Sequence, residues 1–147
     1  MLGPHAIILT IDSRLENVGL LGVATRGIVR QLGFSEDEAL NLELCVVEAA
    51  SNCVRHAYHG EAGHPVLVRL TAGGERLKIT VEDEGRPIPE DKRRPQPIEF
   101  DPSDIESIPE GGRGVFLVHA LMDTVEYGRE GRRNVLVMTK ALSAARS

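Results

Sequence analysis

At 147 residues, with 41% apolar and 27% charged positions, the chain has the make-up of one ordinary water-soluble domain, 1–147, able to bury a core. A net charge of -5, 3% aromatic residues and no Trp argue against direct nucleic-acid binding, because neither phosphate attraction nor base stacking is provided for. The opening Met1–Leu9 lacks the basic start and long apolar core of a signal peptide, and no run is long enough to span a bilayer, so a cytoplasmic protein without membrane contact is expected.

Ala6 to Ile11 is a short β-branched run that predicts a strand. Asp12 and Ser13 are placed to cap a first helix, in which Leu15, Val18, Leu21, Ile28, Val29 and Leu32 keep a helical period up to Gly33. Gly19, Gly22 and Gly27 weaken that helix. Ser35 with Glu38 three residues on is a capping box, and it predicts a second helix running to about Tyr58. Val66–Thr71 and Leu77–Glu82 read as strands joined through 72–76 as a hairpin. From Gly85 to about Gly112 six prolines sit among charged residues, which predicts a long loop of the kind that covers sites. A short helix opened by glycines covers Val115 to Met122, and Thr124–Tyr127 with Asn134–Lys140 closes the domain as a second hairpin turning at Gly128 and Gly131. The last Ala144-Ala145-Arg146-Ser147 reads as a fraying tail. The order β-α-α-β-β-loop-α-β-β predicts an α+β two-layer sandwich, its sheet mixed but mostly antiparallel, with helices on one face.

On the second helix, Glu48, Asn52 and His56 stand four apart and form one polar stripe among Cys45, Val46, Val47, Ala49, Ala50, Cys53 and Val54. A carboxylate and a carboxamide on so apolar a helix require a partner, which is either a cation and polar ligand or a satisfied buried network. Asn52 offers a neutral oxygen to a hard cation such as Mg²⁺, and Glu48 one turn earlier can take a proton near that cation. Asp83 ends an apolar strand next to Gly85; it can accept from an exocyclic amino group, or simply terminate the strand. Gly111-Gly112-Arg113-Gly114 opens a helix, a place suited to phosphate and equally to a plain turn. Cys45 and Cys53 lie roughly 12 Å apart along one helix, which excludes a mutual disulfide and points to buried thiols in a reducing compartment.

Taken together, Glu48-x-x-x-Asn52-x-x-x-His56-Ala57-Tyr58, Asp83-x-Gly85-x-Pro87 and Glu110-Gly111-Gly112-Arg113-Gly114-Val115-Phe116-Leu117-Val118 resemble the N, G1 and G2 boxes of the GHKL (Bergerat) nucleotide-binding fold. Within it the chain is most similar to the stand-alone anti-sigma factor serine kinases of bacterial partner switching. The resemblance extends in order over nearly the whole chain, including the closing Asn134-x-Leu136-x-Met138-x-Lys140 strand. It implies ATP and Mg²⁺ as cofactors, with Asn52 on the Mg²⁺ and Glu48 as general base toward a protein serine. It further implies Asp83 on the adenine amino group, Gly85 letting the base approach, Gly112 and Gly114 on phosphates, and the 86–111 segment as ATP lid. Arg113 would face phosphate or solvent, and His56 would secure the helix end or the lid. Glu84, between Asp83 and Gly85, is a departure that adds negative charge beside the nucleotide. The implied partners are a sigma factor and a STAS-type anti-sigma factor antagonist, with a homodimer as the implied assembly.

Three activities fit such a chain. The first is ATP-dependent phosphorylation of a serine on the antagonist, coupled to sequestration of a sigma factor. The second is a nucleotide-sensing binding module without phosphotransfer, for which a base at Glu48 would be unnecessary. The third is a catalytic domain acting in trans on a histidine-containing phosphoacceptor. The HRD and DFG signatures of eukaryotic-type kinases are missing, so that mechanism does not apply.

Overall fold

The computed structural model describes residues 2–89 and 110–142, with only the backbone for 2–4 and 110–113. Most of the expected lid and the expected C-terminal tail therefore lie outside the described residues. The chain runs β1 (Leu2–Asp12), α1 (Leu15–Gln31), α2 (Glu36–Asn52), a π-helical turn (Cys53–Ala57), β2 (Pro65–Gly74), β3 (Arg76–Asp83), α3 (Glu110–Leu121), β4 (Thr124–Glu130) and β5 (Arg133–Ala141). The element order is the expected one.

The five strands form one sheet in the order β1-β2-β3-β5-β4, and all four ladders are antiparallel, so the mixed component of the expectation is not realised. Residues directly opposite in such ladders share a face. One face therefore carries Val66, Val68, Leu70 and Ala72 of β2, Leu77, Ile79 and Val81 of β3, and Met138 of β5, all buried. Val18, Leu21 and Val29 of α1, Ala39, Leu42, Cys45, Val46 and Ala50 of α2, and Val118 and Met122 at the end of α3 complete that core. This is the two-layer α+β sandwich. Among the described residues no helix is long and apolar enough to cross a membrane.

Both hairpins are tighter than expected. Gly73 pairs with Arg76, leaving the two-residue loop Gly74-Glu75 with Gly74 at φ +63°. Glu130 pairs with Arg133, leaving Gly131-Arg132 with Gly131 at φ +62°. A glycine of positive φ at the first loop position suits a type II′ turn, whose twist matches the flanking strands. Gly128, expected in the turn, instead pairs with Val135 inside β4.

The start of α1 is a second correction. Its N-cap is Arg14, without a side-chain cap, because Asp12 and Ser13 are engaged elsewhere. Asp12 Oδ1 accepts from the Gly63 N–H (3.0 Å); Ser13 Oγ donates to the Glu61 carbonyl (2.6 Å) and accepts from the His64 N–H (3.1 Å). These residues fasten the connection between the π turn and β2. Gly22, weak as a helix residue, has a packing reason: a β-carbon there would lie 2.6 Å from Val47 Cγ2, so α1 and α2 meet where a side chain is missing.

The capping box of α2 forms as expected. Ser35 Oγ accepts from the Glu38 N–H (3.1 Å), and Glu38 Oε1 accepts from the Ser35 N–H (3.4 Å). Replacing Ser35 by Ala removes one acceptor and should lower stability by about 1 kcal/mol. Urea unfolding checks this: the midpoint should fall while the slope stays unchanged.

Candidate functional site

The polar stripe of α2 has two members instead of three. Glu48 and Asn52 lie a helical turn apart, but from Cys53 the backbone widens into a π turn, with the Tyr58 N–H donating to the Cys53 carbonyl (3.0 Å). That insertion shifts the angular phase of the residues after it, and His56 leaves the stripe for an exposed position. Of the two roles expected of His56, packing of the helix end is taken by Tyr58, which is 5% exposed, and most of the lid lies outside the described residues. Its hydroxyl donates to the Pro65 carbonyl and accepts from the Glu84 N–H, both at 2.7 Å, and its ring stacks on His64 at 4.7 Å. One side chain thus ties the π turn to the start of β2 and to the turn after β3.

That turn presents Asp83. The residue continues the buried face of β3 and is only 7% exposed. Its Oδ1 accepts from the Gly85 N–H (2.9 Å) and from Nδ2 of Asn134 (2.7 Å), the residue directly opposite on β5. Asn134, 1% exposed, also donates to the Gly85 carbonyl (3.0 Å) and accepts from Arg129 Nη1 (3.3 Å). A carboxylate has about four acceptor positions, so capacity remains for a ligand's N–H. Glu84 points into solvent and is no part of the cavity wall.

Gly85 meets a packing demand. A β-carbon there would lie 2.3 Å from the Ala57 carbonyl oxygen and 2.8 Å from Ala57 Cβ, and the next residue's N–H donates to that same carbonyl (Arg86 to Ala57, 2.9 Å). The missing side chain makes room for the π turn.

Asp83, Asn134, Asn52 and Cys53 share one cavity between the sheet end, α2 and α3. Its apolar walls include Ala49, Val81, Val115, Val118, Val125 and Leu136, while Ile88, His119 and Tyr127 stand at its sides. The Tyr127 hydroxyl accepts from the Ile88 N–H (3.1 Å), which holds the chain leaving Gly85 against β4. Gly114 lines the cavity too. The glycines do not precede the helix as expected: α3 starts at Glu110, so Gly112, Arg113 and Gly114 lie within it. The first-turn N–H groups of a helix have no intrahelical acceptor and sit at its positive end, so the feature suited to anions persists. The side chain of Arg113 lies outside the described residues.

Among the described residues no group of three or more His, Cys, Asp or Glu side chains could hold a metal ion. A hard cation beside Asn52 would thus complete its shell with water and ligand oxygens, which is how Mg²⁺ commonly binds. An apolar cavity, an anchored carboxylate at one end, and a carboxamide with a carboxylate one turn apart on α2 can hold a flat polar ring and a charged tail together. The linear sequence does not reveal Asn134 as the partner of Asp83; only the β3–β5 register does.

Comparison with known proteins agrees with this geometry. Residues 11–140 match the family described as Histidine kinase-like ATPase domain. The chain is 34% identical over 140 residues to the Serine-protein kinase RsbW of Halalkalibacterium halodurans, covering 95% of this chain and 85% of that protein. It is 30% identical over 141 residues to the Serine-protein kinase RsbW of Bacillus subtilis, covering 95% and 88%. Its fold is similar to the crystal structure of the RsbU and RsbW domains of a Mycobacterium tuberculosis protein, with TM-score 0.65, 14% identity, and 94% of this chain against 32% of that one. The chain thus spans about a third of that larger polypeptide. The catalytic domain of histidine kinase ThkA shares the fold as well, with TM-score 0.55, 9% identity, and coverage of 96% and 99%.

The local geometry gives two testable outcomes. Gly85→Ala sets a β-carbon against backbone that cannot move aside, and should lower stability by about 2 kcal/mol or more in thermal or urea unfolding. The two free thiols are the second case. Burial pushes Cys45 up to about 12, Lys140 opposing and Glu48 adding to it; burial, with Asp83 next, holds Cys53 well above the ordinary 9.0. At pH 8 a thiol reagent should therefore label the native protein at least ~100-fold more slowly than the urea-unfolded chain. The raised thiols contribute stability that is fully present below pH 9 and lost as pH climbs toward 12, because the folded state there binds more protons than the unfolded one. A pH series of urea midpoints reads this loss.

Proposed function

The chain belongs to the histidine kinase-like ATPase domain family, and on that premise we propose that it is an ATP-dependent serine-protein kinase and anti-sigma factor. It phosphorylates a serine of a STAS-type antagonist and sequesters a sigma factor, acting in the cytoplasm as one domain, 1–147, that pairs as a homodimer. The observation that carries this reading is the Asp83 carboxylate. It is buried at the sheet end of an apolar cavity, held by Asn134 and Gly85 on one oxygen, with acceptor capacity left for an exocyclic amino group. Adenine presents such a donor, and the apolar walls suit its faces.

From that end the triphosphate extends toward α2 and the start of α3. Gly112 approaches it with backbone and Arg113 adds charge against the phosphates, while Gly114 sits against the Glu48 carboxylate. Asn52 is the protein ligand of Mg²⁺, a cation that neutralises phosphate charge when bound. Glu48, one turn before Asn52, accepts the proton of the substrate serine hydroxyl. The serine oxygen forms its bond to the γ-phosphorus as the bond to the β-γ bridging oxygen breaks; ADP leaves, and the proton stays on Glu48. The 86–111 segment is the lid that excludes water from this step. Phosphoryl transfer needs positioning and charge neutralisation more than covalent chemistry, so this small set of groups suffices.

The test is radiolabelled transfer from Mg-ATP to the cognate antagonist. The wild type should yield phosphoserine; a phosphohistidine product, or none, overturns the reading. Glu48→Gln should lower transfer by ~10²–10⁴-fold while leaving ATP affinity nearly intact. Asp83→Asn should instead weaken ATP binding, measured by calorimetry. A Glu48→Gln variant as active as wild type would remove the base from the mechanism.

A further inference from the structure

Gly114 is a glycine for the sake of Glu48. A β-carbon at position 114 would lie 2.7 Å from Glu48 Oε2, 3.5 Å from its Cδ and 3.7 Å from its Cβ. The volume that any other residue would fill is therefore taken by the carboxylate of the proposed base. Neither helix can retreat to reopen it. α2 is pinned beneath Glu48 by Cys45, Ala49 and Ala50, and α3 beyond Gly114 by Leu117 and Val118, all buried. The carboxylate, by contrast, ends a chain of three rotatable bonds and can swing away. A side chain at 114 would spare the fold and move the acid.

We propose that Gly114 is a positioning residue for the base, its missing side chain keeping the Glu48 carboxylate against the flank of α3. The assignment rests on the kinase reading above but separates from a phosphate-binding role for the same glycine. Contact with phosphate would make substitution weaken ATP binding. Control of Glu48 makes it slow the transfer step while ATP affinity holds, since an error of about 1 Å in a reacting group costs ~10²-fold.

The experiment is a double-mutant cycle on Gly114→Ala and Glu48→Gln, reading kcat, KM for ATP and a directly measured ATP Kd. Gly114→Ala should lower kcat by ~10-fold or more with ATP Kd within about twofold of wild type, and should add no further loss in the Glu48→Gln background. A raised ATP Kd with unchanged kcat, or losses that multiply, overturns the proposal. Alanine is a better helix former than glycine, so the variant should fold. Should it not, Glu48→Asp shortens the acid by one methylene and should restore folding to Gly114→Ala; a double variant equally unfolded overturns the proposal. A readout free of turnover keeps the two ideas apart. The ¹³C resonance of the Glu48 carboxylate, assigned through Glu48→Gln, should shift in Gly114→Ala, and an unmoved resonance overturns the positioning role. A wild type that transfers no phosphate ends the kinase reading, while this resonance still decides what Gly114 does.

Discussion

A carboxylate sits at the end of the buried sheet face, and the geometry around the cavity depends on the contacts that hold it there. Removing a charged group from water costs several kcal/mol unless hydrogen bonds replace the lost hydration. Asp83 meets that demand through the Gly85 N–H and the Asn134 amide. Asn134 can serve only with its NH₂ toward β3, since that group also donates to the Gly85 carbonyl while its oxygen takes the Arg129 guanidinium. The network joins β3, the turn beyond it, β5 and β4. The acid is thereby fixed in place by segments distant from one another in sequence.

Three glycines share a function that conformational freedom does not explain. At Gly22, Gly85 and Gly114 an added β-carbon would meet Val47, the Ala57 backbone and the Glu48 carboxylate, all closer than 3 Å. What each would displace differs in consequence: the side chain of a packed core, a main chain that cannot yield, and a charged group that can. The same residue type thus sets helix spacing in one place, a turn against a helix end in another, and room for a glutamate carboxylate in the third.

Much of this was legible in the sequence because it depends on local chemistry. The capping box of Ser35 and Glu38, the period-two strands and the order of elements each follow from residues within a few positions of one another. The stripe of Glu48 and Asn52 was legible for the same reason. The rest depends on distant contacts. No local signal marks the π turn at Cys53–Ala57, so His56 reads as a stripe member until the phase shift is seen. Asp12 and Ser13 have the residue types of helix caps, but the 61–64 segment claims them. The glycines before Val115 read as a turn, whereas the helix begins at Glu110 and absorbs them. The pairing of Asp83 with Asn134 is a matter of strand register, which motif spacing does not carry.

The π turn also measures length. Because the phase slips at Cys53, the polar wall of α2 ends at Asn52. Glu48 and Asn52 are separated by about 6 Å of helix rise. Such a wall is too short to reach along a nucleotide. The polar groups of the cavity are therefore divided between two elements, the helix turn that ends at Asn52 and the last residue of β3, Asp83. The distance between the two is fixed by the sandwich itself, so the fold gauges ligand length as well as ligand chemistry.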